Sequence, residues 1–268
     1  PPPIVTERWQ FKKDVDGYLD ARRSHLYVHD VARGESTQIT SGDHDEALPA
    51  WSPDGRQIAY VTRRGGEPDR HSNFDIYLVE PRAGATERRL TTFDGADNDP
   101  DLESPISWSP DGRQLAFVQA GEDKWIYYAP NQLAIVDVAT GHTRLAAPID
   151  RWFTYPRWSL DGRSVLALVE QSRVINLSRI DVASGKVSPL TTGPRYDAGF
   201  ALSKQGRIVV LGGDDVTPYE LAALEQGGLR PLGSHNEWLA QKKLARFENI
   251  SFRSADGTTI DGFVVKPP

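Results

Sequence analysis

At 268 residues the chain is long enough for one large domain or two small ones, and 23 Gly, 19 Pro and 38% hydrophobic residues suit a turn-rich all-β architecture rather than a helical bundle. A net charge of −6 lacks the basic face that nucleic-acid binding needs, and no apolar run approaches the roughly 18 residues of a membrane-crossing helix. The absence of cysteine excludes disulfides, thiolate chemistry and Cys-based zinc sites.

Neither nucleic acid nor membrane is therefore expected as a partner. The chain opens Pro1-Pro2-Pro3, holds no Met and shows no charged-then-apolar leader. A fragment of a longer protein is expected, cytoplasmic in location, with the periplasm as the alternative.

Residues 1–48 read as an irregular first unit. Ile4-Val5-Thr6-Glu7-Arg8-Trp9-Gln10-Phe11 alternates like a strand, Asp16-Gly17 marks a turn, and His25-Leu26-Tyr27-Val28-His29-Asp30 reads as a second strand. The turn Asp30-Val31-Ala32-Arg33-Gly34 returns as Asp137-Val138-Ala139-Thr140-Gly141 and Asp181-Val182-Ala183-Ser184-Gly185, with looser copies at 80–84 and 224–228.

A second turn alternates with it. Trp51-Ser52-Pro53-Asp54-Gly55-Arg56 recurs as Trp108-Ser109-Pro110-Asp111-Gly112-Arg113 and Trp158-Ser159-Leu160-Asp161-Gly162-Arg163, with a worn copy at Leu202-Ser203-Lys204-Gln205-Gly206-Arg207. Each has turn chemistry (Pro presets φ, Asp bonds back to the backbone, Gly accepts a left-handed conformation) between two apolar strands. Asp30 to Trp51 and Asp137 to Trp158 are both 21 residues, so the two hairpins keep a fixed phase of four strands per unit. A period of about 40–50 residues with four short strands is that of propeller blades. About five blades are expected within residues 1–233, with Trp51, Trp108 and Trp158 packed between them. The long interval from Trp51 to Trp108 holds two loops, around Gly65-Gly66 and over 94–101, where a propeller can carry function.

The pattern changes at Ser234. Ser234 and Glu237 have capping-box spacing, predicting a short linker helix over 235–244, and residues 247–253 and 259–266 read as two strands of a second, truncated domain at 234–268.

Catalytic and metal chemistry find little support. No Gly-x-Ser-x-Gly elbow occurs, so no catalytic residue is assigned within this chain. His25, His29, His44, His71, His142 and His235 are scattered and read as surface or groove histidines. Asp94, Asp97, Asp99 and Asp101 resemble a calcium loop, yet Leu102 and Trp108 stand where that loop needs Gly and Glu. A solvated loop is expected, with no metal and no cofactor.

The Trp-Ser-Pro-Asp-Gly-Arg repeats resemble propellers of the TolB-like and prolyl oligopeptidase types. The stretch Phe247-Glu248-Asn249-Ile250-Ser251-Phe252-Arg253-Ser254-Ala255-Asp256-Gly257-Thr258, continuing to Pro268, resembles the segment entering the α/β-hydrolase domain of that peptidase family, in its acylaminoacyl-peptidase branch. The resemblance implies a seven-bladed propeller that limits entry of short peptides to a Ser-Asp-His hydrolase domain. That domain would lie downstream, in the same or a separate chain. Too few blades are present for the whole propeller.

On this reading, substrate contacts come from residues outside the repeat pattern. Arg8 and Trp9, and Arg151 and Trp152, are the candidates, because Arg makes two-pronged contacts with carboxylate or carbonyl oxygens. The rival is a stand-alone TolB-like propeller serving as a protein-interaction scaffold; a five-bladed glycoside hydrolase ranks last, since the acidic residues fall mostly in turns. Unpaired edge strands make a homo-oligomer possible.

Overall fold

The computed structural model describes residues 3–15, 17–125 and 128–268. Among these, the only helical pieces are 3-10 turns of three to five residues, and none is long and apolar enough to cross a membrane. The expected strand over residues 4–11 does not form. A small pair, Lys12–Lys13 with Gly17–Tyr18, takes its place; Pro1, Pro2 and Asp16, the last from the expected Asp16-Gly17 turn, lie outside the described residues.

The Trp turns close by one repeated device. Ser52 Oγ donates to Asp54 (2.7 Å) and accepts the Gln57 N–H (2.9 Å), while Asp54 accepts the Arg56 N–H (3.1 Å). Ser109 and Ser159 make the same three bonds in their copies. These bonds hold Asp54, Asp111 and Asp161 below the usual carboxylate range, the serine hydroxyl being the main cause. The pairing that follows is also constant: Trp51 faces Ile58, Trp108 faces Leu115, Trp158 faces Val165, and Leu202 faces Ile208.

Four four-stranded antiparallel blades result. Blade 2 is Glu46–Trp51, Ile58–Thr62, Asp75–Val79 and Arg88–Arg89. Blade 3 has a broken first strand, Gly95–Asp97 and Ser107–Trp108, then Gln114–Glu122, Gln132–Asp137 and Thr143–Leu145. Blade 4 is Phe153–Trp158, Ser164–Gln171, Val174–Asp181 and Val187–Pro189; blade 5 is Arg195–Leu202, Ile208–Asp214, Glu220–Glu225 and Gly228–Pro231. Before them the hairpin Tyr27–Asp30 with Glu35–Gln38 forms the outer pair of blade 1. The fold is the expected all-β propeller.

The second strands of blades 2, 3 and 4 are apolar on both faces because each serves two interfaces. Ile58 and Tyr60 pack with Leu26 and Ile39 of blade 1, whereas Ala59 and Val61 pack with Leu115 and Phe117 of blade 3. Likewise Val165 and Ala167 face blade 3, and Leu166 and Leu168 face Ile208 and Val210 of blade 5. Two guanidiniums clasp neighbouring blades in the same way: Arg88 donates to the Val138 carbonyl (2.7 Å) and Arg144 to the Val182 carbonyl (3.0 Å). Gly141 and Gly185 sit at φ 73° and 70°, and a side chain on either would come within 2.9 Å of a carbonyl of the preceding blade. Glycine is required there twice over, for conformation and for space.

Three further expectations need correction. The linker helix over 235–244 is a single 3-10 turn, Glu237–Gln241, and Ser234 does not cap it. Glu220 of blade 5 instead accepts bonds from the His235 backbone, the His235 ring and the Asn236 amide, so this stretch is fastened to the propeller rather than free to start a helix. Trp108 and Trp158 pack between blades as expected, but Trp51 is 51% exposed, because among the described residues blade 1 presents no inner strands to cover it. The acidic loop is not solvated throughout: Asp97 and Asn98 are fully buried.

Candidate functional site

Antiparallel connectivity places the Trp turns and the Asp-x-x-x-Gly turns at one end of every blade. The loops joining second to third strands, and the links between blades, lie at the other end. Residues outside the repeat pattern gather at that loop end.

The N-terminal segment is held there by an ion network. Arg8 grips Asp69 with two nitrogens (3.0 and 3.1 Å) and reaches Asp45 (3.4 Å); Arg23 pairs with Asp43 and Asp45, and Arg63 approaches Asp69 (3.5 Å). The Arg8 bonds hold the Asp69 carboxyl down and raise the Arg8 guanidinium, whereas burial lowers Arg63. Arg8 is thus committed to structure. Trp9, 67% exposed, carries the Arg70 guanidinium 4.7 Å above its ring. Arg151 and Trp152 lie in the link between blades 3 and 4. The Arg151 side chain turns back to the Asp150 carbonyl, and the Trp152 carbonyl anchors the Glu170 N–H (2.9 Å). Among the described residues no hydrogen bond joins these two pairs, so the structure keeps Arg8–Trp9 and Arg151–Trp152 as separate places on one face.

A polar cavity of about 560 Å³ opens at the same end; Arg64, His71, Asp75, Tyr77, Arg89 and Asp94 are among the residues that line it. None of the four predicted contact residues lines it. Its signal was the long interval between Trp51 and Trp108, whose two loops supply Arg64, Gly65 and Asp94. Asp75 pairs with Arg89 at 2.8 Å, yet burial still raises its pKa. Paired cations and carboxylates around one cavity suit a zwitterionic or charged ligand end better than an apolar one.

The hairpin Phe247–Arg253 with Thr259–Val265 pairs only with itself among the described residues, and the Arg173 side chain ties it to blades 4 and 5. Arg173, at the loop-end turn of blade 4, binds both oxygens of Asp215 in blade 5 (2.6 and 2.8 Å) and donates to Asn249 (3.0 Å). Its guanidinium also lies against the rings of Phe247 (5.2 Å) and Phe263 (5.4 Å). Arg173→Ala is expected to release the hairpin: amide exchange over 247–265 should quicken while that over 164–181 stays slow. Arg173→Lys should not restore protection, because the fork and the stacking both need a planar guanidinium. Unchanged exchange over 247–265 in the alanine variant would show that other contacts hold the hairpin.

Sequence spacing gave no metal site, but the fold brings His44, Glu46 and Glu87 together, with one ligand atom of each within 4.8 Å of the others. His25 joins them through Glu46. The histidines read as scattered are, for His25 and His44, part of one buried cluster.

Comparison with known proteins agrees with this architecture. The family model of the TolB beta propeller domain matches residues 18–229. Dipeptidyl-peptidase 5 of Porphyromonas gingivalis (strain ATCC 33277) is 28% identical over 156 residues, 57% of this chain and 22% of that protein. The uncharacterized peptidase YuxL of Bacillus subtilis (strain 168) is 25% identical over 210 residues, 78% of this chain and 28% of that protein. The chain therefore spans about a quarter of the length of these curated relatives. The acylaminoacyl peptidase of Pyrococcus horikoshii superposes with a TM-score of 0.77 at 20% identity, covering 99% of this chain and 40% of the other. Repeat, blade register and family match converge: this chain belongs to the TolB beta propeller domain family.

Proposed function

We propose that this chain is the non-catalytic propeller portion of a serine peptidase resembling acylaminoacyl-peptidase, admitting short peptides to a Ser-Asp-His hydrolase domain that follows it. The observation that carries this reading is the Arg173 clamp. It holds the hairpin 247–265 at the loop end of blades 4 and 5, the end that also bears the polar cavity and Trp9. The hairpin face opposite Arg173 leaves Ile250, Phe252 and Ile260 exposed, an apolar surface that a following domain would cover. The propeller then supplies position and passage, and the nucleophile, base and oxyanion site come from the hydrolase domain with no cofactor. The peptide substrate and the remainder of the catalytic domain are its partners, in the cytoplasm.

The test is the native protein isolated from its own cells, treated with a fluorophosphonate probe and weighed intact. A species well above 29.8 kDa, or a bound second chain, should carry the label on a serine outside residues 1–268. The match to the TolB domain favours a second reading, a free-standing interaction scaffold. An unlabelled native species of 29.8 kDa with no labelled companion would sink the peptidase reading and leave that one.

A further inference from the structure

Blade 1 meets blade 2 over a buried polar cluster that peptide screening does not use. Glu46, the first residue of blade 2, has a completely buried side chain. Its Oε2 accepts from the Thr40 hydroxyl (2.9 Å) and pairs with His25 Nδ1 (2.8 Å). Its Oε1 has no hydrogen-bond partner; it lies 3.2 Å from His44 Nε2, which is also buried and unpartnered, and 3.6 Å from an Arg64 nitrogen. Glu87 completes the group, accepting from the Tyr60 hydroxyl (2.5 Å) and from Arg64. The His44 ring is pressed onto Gly42, where a Cβ would stand only 2.5 Å from the imidazole.

A buried carboxylate oxygen and a buried imidazole nitrogen that face each other unbonded are both short of a partner, and that state is costly. A neutral imidazole protonated at Nδ1 presents a lone pair at Nε2, the atom that faces Glu46 Oε1 at 3.2 Å. A cation placed between the two atoms satisfies both.

We propose that His44 Nε2, Glu46 Oε1 and a Glu87 oxygen form a site for a first-row divalent transition metal of the zinc type, with Arg64 as the resident cation that withdraws when the metal enters. An imidazole with two carboxylates is a borderline donor set that suits zinc or its neighbours and falls short of the oxygen shell that calcium takes. The supporting contacts are in place, since Thr40 and His25 fix the far oxygen of Glu46 and Gly42 fixes the His44 ring. Charge favours the exchange: two carboxylates are half-neutralised by Arg64 and fully neutralised by a divalent ion. Arg64 has somewhere to go, because it lines the 560 Å³ cavity and lies 4.3 Å over the Tyr77 ring. The bound ion would tie the first strand of blade 2 to its outer edge and stiffen the junction with blade 1.

The experiment is zinc titration of the metal-stripped chain against a chromogenic chelator, with cobalt absorption as a second readout. One equivalent should bind, raise the melting temperature and give a cobalt d–d spectrum with nitrogen ligation. His44→Ala should weaken binding at least about 10-fold, the smallest loss usually seen when even a supporting contact is removed. Arg64→Ala should tighten binding, since it removes the competitor and keeps every donor; His142→Ala, at an exposed histidine, should change nothing. Circular dichroism of each variant checks that it is folded. Absence of a stoichiometric equivalent in the wild-type chain, binding that survives His44→Ala, or weaker binding in Arg64→Ala would each overturn the proposal.

Discussion

Trp158→Ala is expected to destabilise the chain by about 3–5 kcal/mol, the usual cost of emptying a large aromatic site in a core. Trp51→Ala, the same substitution in the same motif, is expected to cost less than about 1 kcal/mol, as at other open positions. The contrast follows from neighbours, not from local sequence. Trp158 is 6% exposed and packs with Ala116, Leu133, Phe153 and Val165 across the interface of blades 3 and 4, with its backbone N–H on Ser107 Oγ (3.1 Å). Its indole N–H is buried without a partner, so removing it recovers some free energy and places the loss toward the lower end of the range. Trp51 has the same turn behind it and the same register opposite Ile58, but half its surface meets solvent. Trp108 lies between the two, partly buried, with its indole N–H on the Ala50 carbonyl of blade 2 (2.9 Å). Urea unfolding of the three alanine variants, followed by far-ultraviolet dichroism, should give the order Trp158, Trp108, Trp51. A Trp51 loss equal to that of Trp158 would mean that another segment or chain covers blade 1 in solution.

Turn chemistry and phase made the blades legible from sequence. Ser52, Asp54 and Gly55 close a loop with bonds that stay within residues 52–57, so one short motif identifies it, and the 21-residue offset then sets the strand count. What depends on the next blade was not legible in one motif. Trp51 and Trp158 are the same letter with different exposure, and the Trp51 value follows from strands that blade 1 does not present. The site was harder still. Arg8 and Trp9 were singled out because packing did not account for them, yet Asp69, 61 residues further on, takes up the Arg8 charge. Arg173 stood in an ordinary hairpin turn, and nothing local pointed to Asp215, Asn249 or the two phenylalanines it meets. His44 and Glu46 stand two residues apart, but Glu87 lies on the far side of blade 2 in sequence, and only the fold brings it to them. Ser234 and Glu237 had capping spacing, but Glu220 takes the His235 N–H and holds this stretch against blade 5.

Asp97 provides the sharpest pH test. Read from sequence as part of a solvated acidic loop, it is fully buried at the end of the first segment of blade 3. One oxygen accepts from the Gln119 amide (2.8 Å) and the other has no partner. Burial pushes its pKa up to about 6, with the Gln119 bond resisting and the nearby Asp75 charge adding to the rise. Folding therefore favours the protonated form. The stability this group contributes is fully present below its unfolded value near 3.8 and is lost as pH rises through about 6. A carboxyl displaced that far loses about 3 kcal/mol of stability once it is ionised in both states. Total stability will not show this cleanly, because Asp69 and Glu220, held low by their partners, act in the opposite sense at more acid pH. The difference between two proteins does show it. Asp97→Asn has nearly the shape of the protonated carboxyl and never ionises, so it should match the wild type at about pH 4. By about pH 7.5 it should be the more stable by about 3 kcal/mol, from urea unfolding at each pH. A difference that stays flat across that range would mean that the Asp97 charge is matched inside the fold, by a cation bound beside it.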